Sequence, residues 1–375
     1  MKIITPDHMH GVVAIAAMRK GKHVIGHKPL ANRLAEGRLM IETARQTKVK
    51  THFMPANISM GVRRVADWIK DGAIGQLREI HNWSTRPVWP QYLARPTDRP
   101  QIPKDFDLDL WLGPVPDLPY HPWYTHTTFR GWYDFGGGAI ADMGIYSNWP
   151  VFQTFDLDAP YSVETNISYA CHVVENSVCR KIPNDFSYPL ASTARMRFRA
   201  KGDRPAVELF WYDGGMKPPT PEELLGDDRD LANEGMMFVG DRGKILGTFY
   251  CEDPRLIPES KLAEFRKARN LAPPAPLKSY HFGSPGTGDR TVTGSGRSND
   301  STPWVEAVKG GPASYGDFLL AQPITEAFNL VSISYRLGGQ KLLWDSASGK
   351  ITNVPEANQY LTRDYRPGWE LKAEG

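Results

Sequence analysis

Cysteines, long apolar runs and net charge are all scarce in this sequence, and each scarcity excludes a class of protein. The three cysteines (Cys171, Cys179 and Cys251) have no metal-ligand spacing and cannot all pair, so we expect buried, reduced thiols. No apolar run approaches the roughly 18 residues of a membrane span, and the first residues do not form a signal peptide, which predicts a cytoplasmic protein. A net charge of +3 without a Lys/Arg cluster disfavours nucleic acid as a partner.

A glycine-rich phosphate loop is also missing from the start of the chain, although the start has the pattern of a βαβ protein. The chain opens with MKIITPDHMHGVVAIAAMRKGKHVIGHKP, in which a β-branched strand runs into a polar turn, a helix pattern and a second strand. GGGAIA at 136–141 matches G-x-G-x-x-A, but no buried strand precedes it, which disfavours a dinucleotide fingerprint. We interpret these glycines as the flexible start of a helix that carries Asp142 and Tyr146 on one face.

The rest of the composition is that of an ordinary globular protein, long enough for two domains. The chain has 375 residues, of which 41% are hydrophobic and 23% are charged. Helix patterns, the second with Asn32 as its N-cap, follow each of the first three strand patterns. The strands are predicted at 2–5, 22–26 and 49–53, and the helices at 9–20, 32–47 and 59–71. This alternation predicts parallel βαβ units, so residues 1–80 are expected to form half of a doubly wound sheet.

Residues 81–375 predict a second α/β domain. Prolines and tryptophans crowd residues 82–130, which predicts a long ordered loop held by aromatic packing. An open, mostly antiparallel sheet is predicted from strand patterns at 162–173, 191–199, 205–212, 236–239, 244–248 and 340–344. Helices are predicted at 137–155 and 323–336. A Gly/Pro/Ser-rich stretch at about 268–303 predicts a partly mobile surface loop, and the aromatic tail 351–371 is expected to pack on the body.

Polar residues at the ends of the first two strands are candidates for a site, because ligands of open α/β sheets bind outside the carboxyl ends of strands. Lys28 ends the second strand, where a lysine can steady a hydroxyl or lower the pKa of a neighbour; a solvated lysine is the alternative. His8 and His10 follow the first strand. With Asp7 as the one obvious acidic partner, they do not predict a metal site, and His8 is better explained as a helix-start or site-wall residue.

An ordered set of motifs resembles the Gfo/Idh/MocA oxidoreductase family, to which glucose–fructose oxidoreductase and inositol dehydrogenase belong. The motifs are TPDHMH, AAMRKGKHVIGHKPLA, DGAIGQLREIH, RGWYDFGGGAIADMG, FVGDRGKIL, EDPRLIPES and ITNVPEANQYL, and the resemblance covers nearly all of the chain. It implies a Rossmann domain followed by an α/β domain with a large open sheet. It also implies NAD(P)-dependent oxidation or reduction of sugars, inositols and related polyols, and dimers or tetramers formed through the open sheet.

Three departures from the family pattern limit what the resemblance implies. The family's phosphate loop and the strands around it would precede Lys2, so the chain is expected to hold only the C-terminal half of a Rossmann sheet. The family's Glu-Lys-Pro reads His27-Lys28-Pro29 here. The family's Asp-x-x-x-His ends in a tyrosine, as Asp142-Met-Gly-Ile-Tyr146. Without the backbone N–H groups that hold the pyrophosphate, NAD or NADP is expected to bind weakly or not at all.

The resemblance also implies which residues form the site. Lys28, Asp142 and Tyr146 are the expected catalytic residues, and a nearby cation, Lys28, is expected to lower the pKa of Tyr146. Four residues are expected to wall the substrate cleft: His8, Trp89, Arg130 and Trp132. The remaining half of the cofactor site is expected to consist of Thr5, Pro6, His27 and Pro29.

The expected function is an oxidoreductase of this family that acts on a sugar or polyol with a weakened cofactor site. Two alternatives stay open: a cofactor-independent carbohydrate enzyme (lyase, epimerase or hydrolase) that uses the same pocket, and a non-catalytic carbohydrate-binding or assembly protein. The first strand is expected to have an uncovered edge, which predicts a homo-oligomer unless the tail or the 268–303 loop covers it.

Overall fold

The computed structural model describes residues 1–174, 177–225, 229–270 and 301–371. Its strands are β1 (Lys2–Ile3), β2 (Val24–Gly26), β3 (Thr51–Phe53), β4 (Leu77–Trp83), β5 (Ser162–Ile167), β6 (Cys171–Val174), β7 (Val178–Lys181), β8 (Ser192–Phe198), β9 (Val207–Asp213), β10 (Gly235–Gly240), β11 (Lys244–Gly247), β12 (Arg255–Ile257), β13 (Leu342–Asp345) and β14 (Lys350–Ile351). Its α-helices are α1 (His10–Arg19), α2 (Leu34–Thr47), α3 (Met60–Lys70), α4 (Leu108–Leu112), α5 (Ile145–Thr154), α6 (Glu222–Leu225), α7 (Glu259–Ala268), α8 (Thr302–Val308) and α9 (Gln322–Arg336).

A small parallel sheet holds the first three strands in the order β1-β2-β3. Each strand leads into a helix, as the alternating pattern predicted. Ser59 begins α3 by accepting a hydrogen bond from the Val62 N–H. The predicted N-cap of α2 was wrong, because Arg33 occupies that position and the Asn32 side chain contacts Gly136 and Arg363 instead. Tertiary contacts thus replace the local capping bond at this helix.

The second sheet has the order β12-β11-β10-β4-β9-β8-β5-β13-β14. β4 runs parallel to β9, and the other neighbouring pairs in this sheet are antiparallel. The α/β class with a parallel sheet and a large, mostly antiparallel sheet is therefore confirmed. β4 was not predicted, although residue 77 and residues 80–83 are buried. It spans 77–83, so the domain boundary expected at 80 falls inside a strand of the large sheet.

One face of the large sheet is covered by helices, and this packing positions the start of α5. Side chains of β8 and β9 alternate between buried and half-exposed, the pattern of a sheet with one covered face. α9 packs on β5 and α2, while α5 packs on α3 and α9. A π-helical turn at Ile140–Gly144 precedes α5 and contacts β9. At Gly144 an added Cβ would lie 3.2 Å from the Trp211 ring, so glycine lets this turn approach the sheet.

The long loop and the tail pack as predicted. The loop at 82–130 is ordered around a buried cluster made of Tyr92, Leu112, Val115, Tyr124, Phe129, Trp132 and Phe135. In the tail, Arg363 pairs with Glu36 of α2 at 2.8 Å, and Arg366 pairs with Asp109 of α4 at 2.7 Å. These two contacts hold the tail against both the small sheet's helices and the aromatic loop.

Two further expectations concern the cysteines and the Gly/Pro/Ser-rich loop at 268–303. Buried thiols were predicted, but Cys171 and Cys179 are exposed on the β6–β7 hairpin and Cys251 alone is buried. The hairpin lies apart from the two larger sheets, which explains why its thiols face solvent. Most of the predicted loop at 268–303, namely residues 271–300, lies outside the described residues.

Among the described helices, none is long and apolar enough to cross a membrane.

Candidate active site

Two segments far apart in sequence meet at the carboxyl end of the small sheet. Lys28 follows β2, and Asp142 lies in the π-helical turn before α5. The Lys28 ammonium donates a hydrogen bond to Asp142 Oδ1, and the two side chains are only 8% and 10% exposed. A buried charge needs such a partner, since its desolvation would otherwise cost several kcal/mol, on the order given by continuum estimates. The structure thus joins the first two of the three predicted catalytic residues as an ion pair.

Arg130 shares the same carboxylate oxygen. Its Nε lies 3.3 Å from Asp142 Oδ1, and its guanidinium carbon lies 4.6 Å from the centre of the Phe129 ring. The side chain is 21% exposed, so its outer end can be reached from solvent. One carboxylate oxygen therefore faces two cations.

Asp7 is a buried carboxyl group at the same place, and sequence reasoning considered it only as a metal ligand. It follows β1, and its Oδ2 accepts a hydrogen bond from the Gly137 N–H at 3.1 Å. Burial raises the pKa of Asp7, against the opposing effect of Arg130, Lys28 and His10. The hydrogen bond links the first strand to the glycine run, which explains GGGAIA as a close approach of backbone segments.

His10 is buried near Asp7, and both of its ring nitrogens lie within hydrogen-bond distance of backbone carbonyl oxygens. Nδ1 is 2.6 Å from Pro29 O and Nε2 is 2.8 Å from Thr5 O. Carbonyl oxygens only accept, so each contact needs an N–H, and a neutral imidazole has one. Burial lowers the pKa of His10, while Asp7 and both carbonyls favour the proton. His10 thus ties the end of β1 to the segment after β2.

Tyr146 lies on the same helical face as Asp142, but the predicted effect of Lys28 on it was wrong. Burial raises the pKa of the Tyr146 phenol, and the Asp142 carboxylate raises it further, with Arg130 opposing. Sequence reasoning underestimated burial, which favours the neutral phenol. Tyr146 can therefore donate a hydrogen bond near neutral pH, but it is a poor base.

Tyr250 lies within electrostatic reach of both Asp142 and Tyr146. Burial raises the pKa of Tyr250 to about 12, with Glu234 and Glu252 adding to the increase and Arg86 opposing it. Glu234 accepts hydrogen bonds from Ser84 and Thr85. Sequence reasoning missed this group, and no local motif marks it, since its members come from three separate segments.

Three of the predicted wall residues are buried in the protein interior. His8 Nε2 donates a hydrogen bond to Trp111 O at 2.7 Å, the ring packs edge-on against Phe135, and burial lowers the pKa of His8 to about 3. Trp132 is stacked on Tyr92 with ring centres 4.1 Å apart. Trp89 is also buried, beside Gly131, where an added Cβ would lie 2.9 Å from its ring. The structure places Arg130 alone among these four at a reachable position.

The predicted cofactor residues Thr5, Pro6, His27 and Pro29 lie at the carboxyl ends of β1 and β2. Thr5 Oγ1 is buried and has no hydrogen-bond partner among the described residues, so it fits a polar group of a ribose or nicotinamide. The helix start after β1 carries the Asp7 carboxyl group, which does not favour an anion there. The described residues at these strand ends therefore fit the ribose–nicotinamide end of a dinucleotide.

No group of three or more His, Cys, Asp or Glu side chains among the described residues is arranged to hold a metal ion. The arrangement offers other chemistry. Two cations and two buried carboxyl groups can bind hydroxyls, hold a proton and stabilise negative charge on a substrate oxygen, because such interactions are strong where water is excluded.

Comparison with known proteins adds family-level similarity. The Gfo/Idh/MocA model described as "Oxidoreductase family, NAD-binding Rossmann fold" matches residues 1–54, and the model described as its "C-terminal alpha/beta domain" matches residues 62–187. A levoglucosan dehydrogenase from Pseudarthrobacter phenanthrenivorans is 33% identical over 95 residues. This alignment spans 24% of the present chain and 24% of that relative, about a quarter of its length.

Solved structures are similar at the level of the fold. The WlbA dehydrogenase from Bordetella pertussis, solved with NADH and UDP-GlcNAcA, superposes with a TM-score of 0.53 at 14% identity. The match covers 92% of the present chain and 79% of that chain. At this identity the similarity supports the fold and carries no residue roles.

Proposed function

Because the chain belongs to the Gfo/Idh/MocA oxidoreductase family, we propose that it interconverts a hydroxyl-bearing carbon of a sugar or polyol and the corresponding carbonyl, for which NAD or NADP, when bound, would accept or supply the hydride. The observation that carries this proposal is the buried Lys28–Asp142 pair at the carboxyl end of the small sheet, with Arg130 on the same carboxylate oxygen. Ligands of open α/β sheets bind at this edge. Levoglucosan, the substrate in the name of one relative, is consistent with a sugar-like substrate.

In this proposal Lys28 and Asp142 act on one substrate hydroxyl, and Tyr146 binds a second. The Lys28 ammonium has further N–H donors besides the one directed at Asp142, and these bind the hydroxyl oxygen. Negative charge that develops on this oxygen is stabilised by Lys28, and Asp142 takes up the hydroxyl proton. Tyr146 stays protonated, because burial raises its pKa, and it positions a second hydroxyl by donating a hydrogen bond.

Weak cofactor binding is the second part of the proposal. NAD or NADP is the cofactor that the family uses, and we propose that Thr5, Lys28 and Pro29, at the carboxyl ends of β1 and β2, contact its nicotinamide end; the unpartnered Thr5 Oγ1 supports this. The described residues offer no glycine-rich turn after β1, and Asp7 stands at the start of the helix there. This observation also favours a second candidate, a cofactor-independent lyase, epimerase or hydrolase that uses the same pocket, ahead of a non-catalytic carbohydrate-binding or assembly protein.

Assembly into a homo-oligomer, a dimer or tetramer, is the third part. Next to the buried Ile3 of β1, Met1 and Ile4 are 54% and 64% exposed. In the described part of the chain, β1 pairs with β2 on one side only. Such an edge tends to pair with another chain. Light scattering at micromolar concentration tests this, and a strictly monomeric chain contradicts it.

The experiment that tests the function is a screen of sugars and polyols with NAD, NADP or no cofactor, on wild type and two variants. Lys28→Met and Asp142→Asn are expected to lower kcat/KM at least about 100-fold, since each removes a group that meets developing charge. Lys201→Met is the matched control, because Lys201 pairs with Asp156 and Asp158 near the surface.

The outcomes separate the candidates. Turnover that requires NAD or NADP supports the oxidoreductase, whereas turnover without either supports the second candidate. Calorimetry that finds a sub-micromolar Kd for NAD or NADP contradicts weak cofactor binding. Equal activity of wild type and Lys28→Met in folded protein removes the proposed role of the ion pair.

A further inference from the structure

One face of α9 is hydrogen-bonded to the segment that carries Lys28. Asn329 lies in the middle of this helix and is buried. Its Nδ2 donates a hydrogen bond to Ala31 O at 3.3 Å and another to Thr325 O, one turn earlier on the helix, at 2.9 Å. The bond within the helix holds the amide in place. The bond to Ala31 therefore fixes the chain three residues after Lys28 relative to α9.

The same face of α9 reaches the segment before Asp142 through a buried tyrosine. Ser332 lies three residues after Asn329, on the same side of the helix. Its Oγ is 3.3 Å from the Tyr188 hydroxyl oxygen, and the Tyr188 hydroxyl donates a hydrogen bond to Gly136 O at 3.2 Å. The Ser332 hydroxyl can donate to the phenol oxygen at the same time, because a hydroxyl both donates and accepts. Tyr188 thus ties Gly136 to the helix.

The glycine run at 136–138 depends on such external contacts, since glycine has the greatest backbone freedom to lose on folding. Gly138 has a φ of +69°, and an added Cβ there would lie 2.5 Å from the Tyr188 ring, so the tyrosine packs directly on the backbone. Asn32 Nδ2 is 3.5 Å from Gly136 O, at the limit of hydrogen-bond distance, so Tyr188 makes the shorter contact with this carbonyl. The π-helical turn that contains Asp142 begins two residues after the run.

The segments meet at a cavity too small for a substrate. Its volume is about 20 Å³, and its lining includes Ala31, Gly137, Tyr188, Asn329 and Ser332. Ligand pockets have volumes of roughly 300 Å³ or more, so a sugar does not fit there. Tyr188 and Asn329 therefore do not contact a sugar in this cavity, and their effect on a reaction passes through the segments that they hold.

We infer that Tyr188 and Asn329 are positioning residues, which hold Asp142 and Lys28 in register from one helix. This inference rests on the proposed function, in which Lys28 and Asp142 act on the same substrate hydroxyl. Groups that act together need a fixed geometry, and a misplacement of about 1 Å can cost on the order of 100-fold in rate. The lysine side chain is long and flexible, so the anchor acts on its backbone.

The first test needs no substrate. Tyr188→Phe keeps the ring and removes the bond to Gly136. Amide hydrogen exchange in peptides that cover 136–144 is expected to rise about fivefold, the factor that loss of one neutral hydrogen bond supplies. Tyr335→Phe is the matched control, because Tyr335 is also buried and its hydroxyl pairs with Ser192 Oγ of the large sheet at 2.6 Å. Exchange at 136–144 is expected to stay unchanged in this control.

The second test uses the substrate that the screen of sugars and polyols identifies. Tyr188→Phe and Asn329→Leu are each expected to lower kcat at least about tenfold with KM within about twofold, since they displace reacting groups without contacting substrate. Asn329→Leu removes the donor to Ala31 at a similar side-chain volume. Tyr335→Phe is expected to keep the wild-type kcat, and urea unfolding establishes that all three variants are folded in the assay.

Each outcome decides a point. Unchanged exchange at 136–144 in Tyr188→Phe overturns the inference, and a wild-type kcat in Tyr188→Phe or in Asn329→Leu overturns the role of that residue. An equal loss of kcat in Tyr335→Phe also overturns it, because the loss would then follow from removal of any buried hydroxyl in this region. Absence of turnover in wild type counts against the proposed function, whereas the exchange experiment decides by itself whether Tyr188 holds the glycine run.

Discussion

Arg363 holds the tail to the small sheet's helices through a buried ion pair, and its removal is expected to cost far more than loss of a surface pair. Nε lies 2.8 Å from Glu36 Oε1, and the two side chains are 5% and 0% exposed. Glu36 Oε2 has no hydrogen-bond partner among the described residues, and an added Cβ at Gly11 would lie 2.8 Å from it. The carboxylate is thus enclosed and depends on its Oε1 contacts.

The magnitude follows from what Arg363→Ala leaves behind. Breaking a buried pair by removing one partner costs about 3–5 kcal/mol of unfolding free energy, because the other charge stays buried. The Tyr365 hydroxyl still donates to Glu36 Oε1 at 3.1 Å, which offsets about 1 kcal/mol. We therefore expect a loss near the lower end, about 3 kcal/mol. Arg45→Ala breaks the exposed Arg45–Glu42 pair on the same helix and is expected to cost about 0.3–0.5 kcal/mol.

The assay is urea unfolding followed by tryptophan fluorescence and circular dichroism, with the two variants measured side by side. A third variant, Glu36→Gln with Arg363→Met, removes both charges and is expected to recover most of the loss. If Arg363→Ala costs less than about 1 kcal/mol, the reasoning about a buried, dependent Glu36 is refuted. A double variant as unstable as Arg363→Ala would show that packing of the arginine stem, and not the unpaired charge, causes the loss.

Two further predictions concern a glycine and a buried carboxyl group. Gly137→Ala places a Cβ 2.5 Å from that of Ala141 and is expected to destabilise the fold by about 1–3 kcal/mol in urea unfolding. Gly243→Ala is the control, since its nearest neighbour is 3.4 Å away, and an equal loss there contradicts the packing explanation. Burial raises the pKa of Asp213 to about 7 despite hydrogen bonds from Ser192 and Trp211, so the folded state keeps a proton that the unfolded state has lost above about pH 4. Stability contributed by this group is present at low pH and falls by up to about 1.4 kcal/mol per unit as pH rises to about 7, and Asp213→Asn is expected to remove that slope. An unchanged slope in Asp213→Asn assigns the pH dependence to other groups.

Local patterns in the sequence determined the order of strands and helices, because hydrophobic periodicity acts over a few neighbouring residues. The strands β1 to β3, most strands of the large sheet (β5, β8, β9, β10, β11 and β13) and α9 follow from it. Family motifs also selected Lys28 and Asp142 as candidate site residues, and the structure pairs these two side chains. β4 escaped prediction because its neighbours in the sheet, β9 and β10, are more than 120 residues away in the chain.

Only the tertiary structure decided which charges meet and in what state. Asp7 touches Gly137, Arg130 shares Asp142 with Lys28, and Arg363 reaches Glu36, contacts that join segments separated by as many as 327 residues. The raised pKa of Tyr146 also depends on tertiary structure, since burial and the Asp142 carboxylate outweigh the opposing effect of Arg130. Pairing of this kind depends on how elements pack, and desolvation depends on the depth at which a group lies. The spacing of residues in the sequence encodes neither the pairing of charges nor their burial. The sequence therefore determined the strands and helices, and their packing determined the electrostatics of the site.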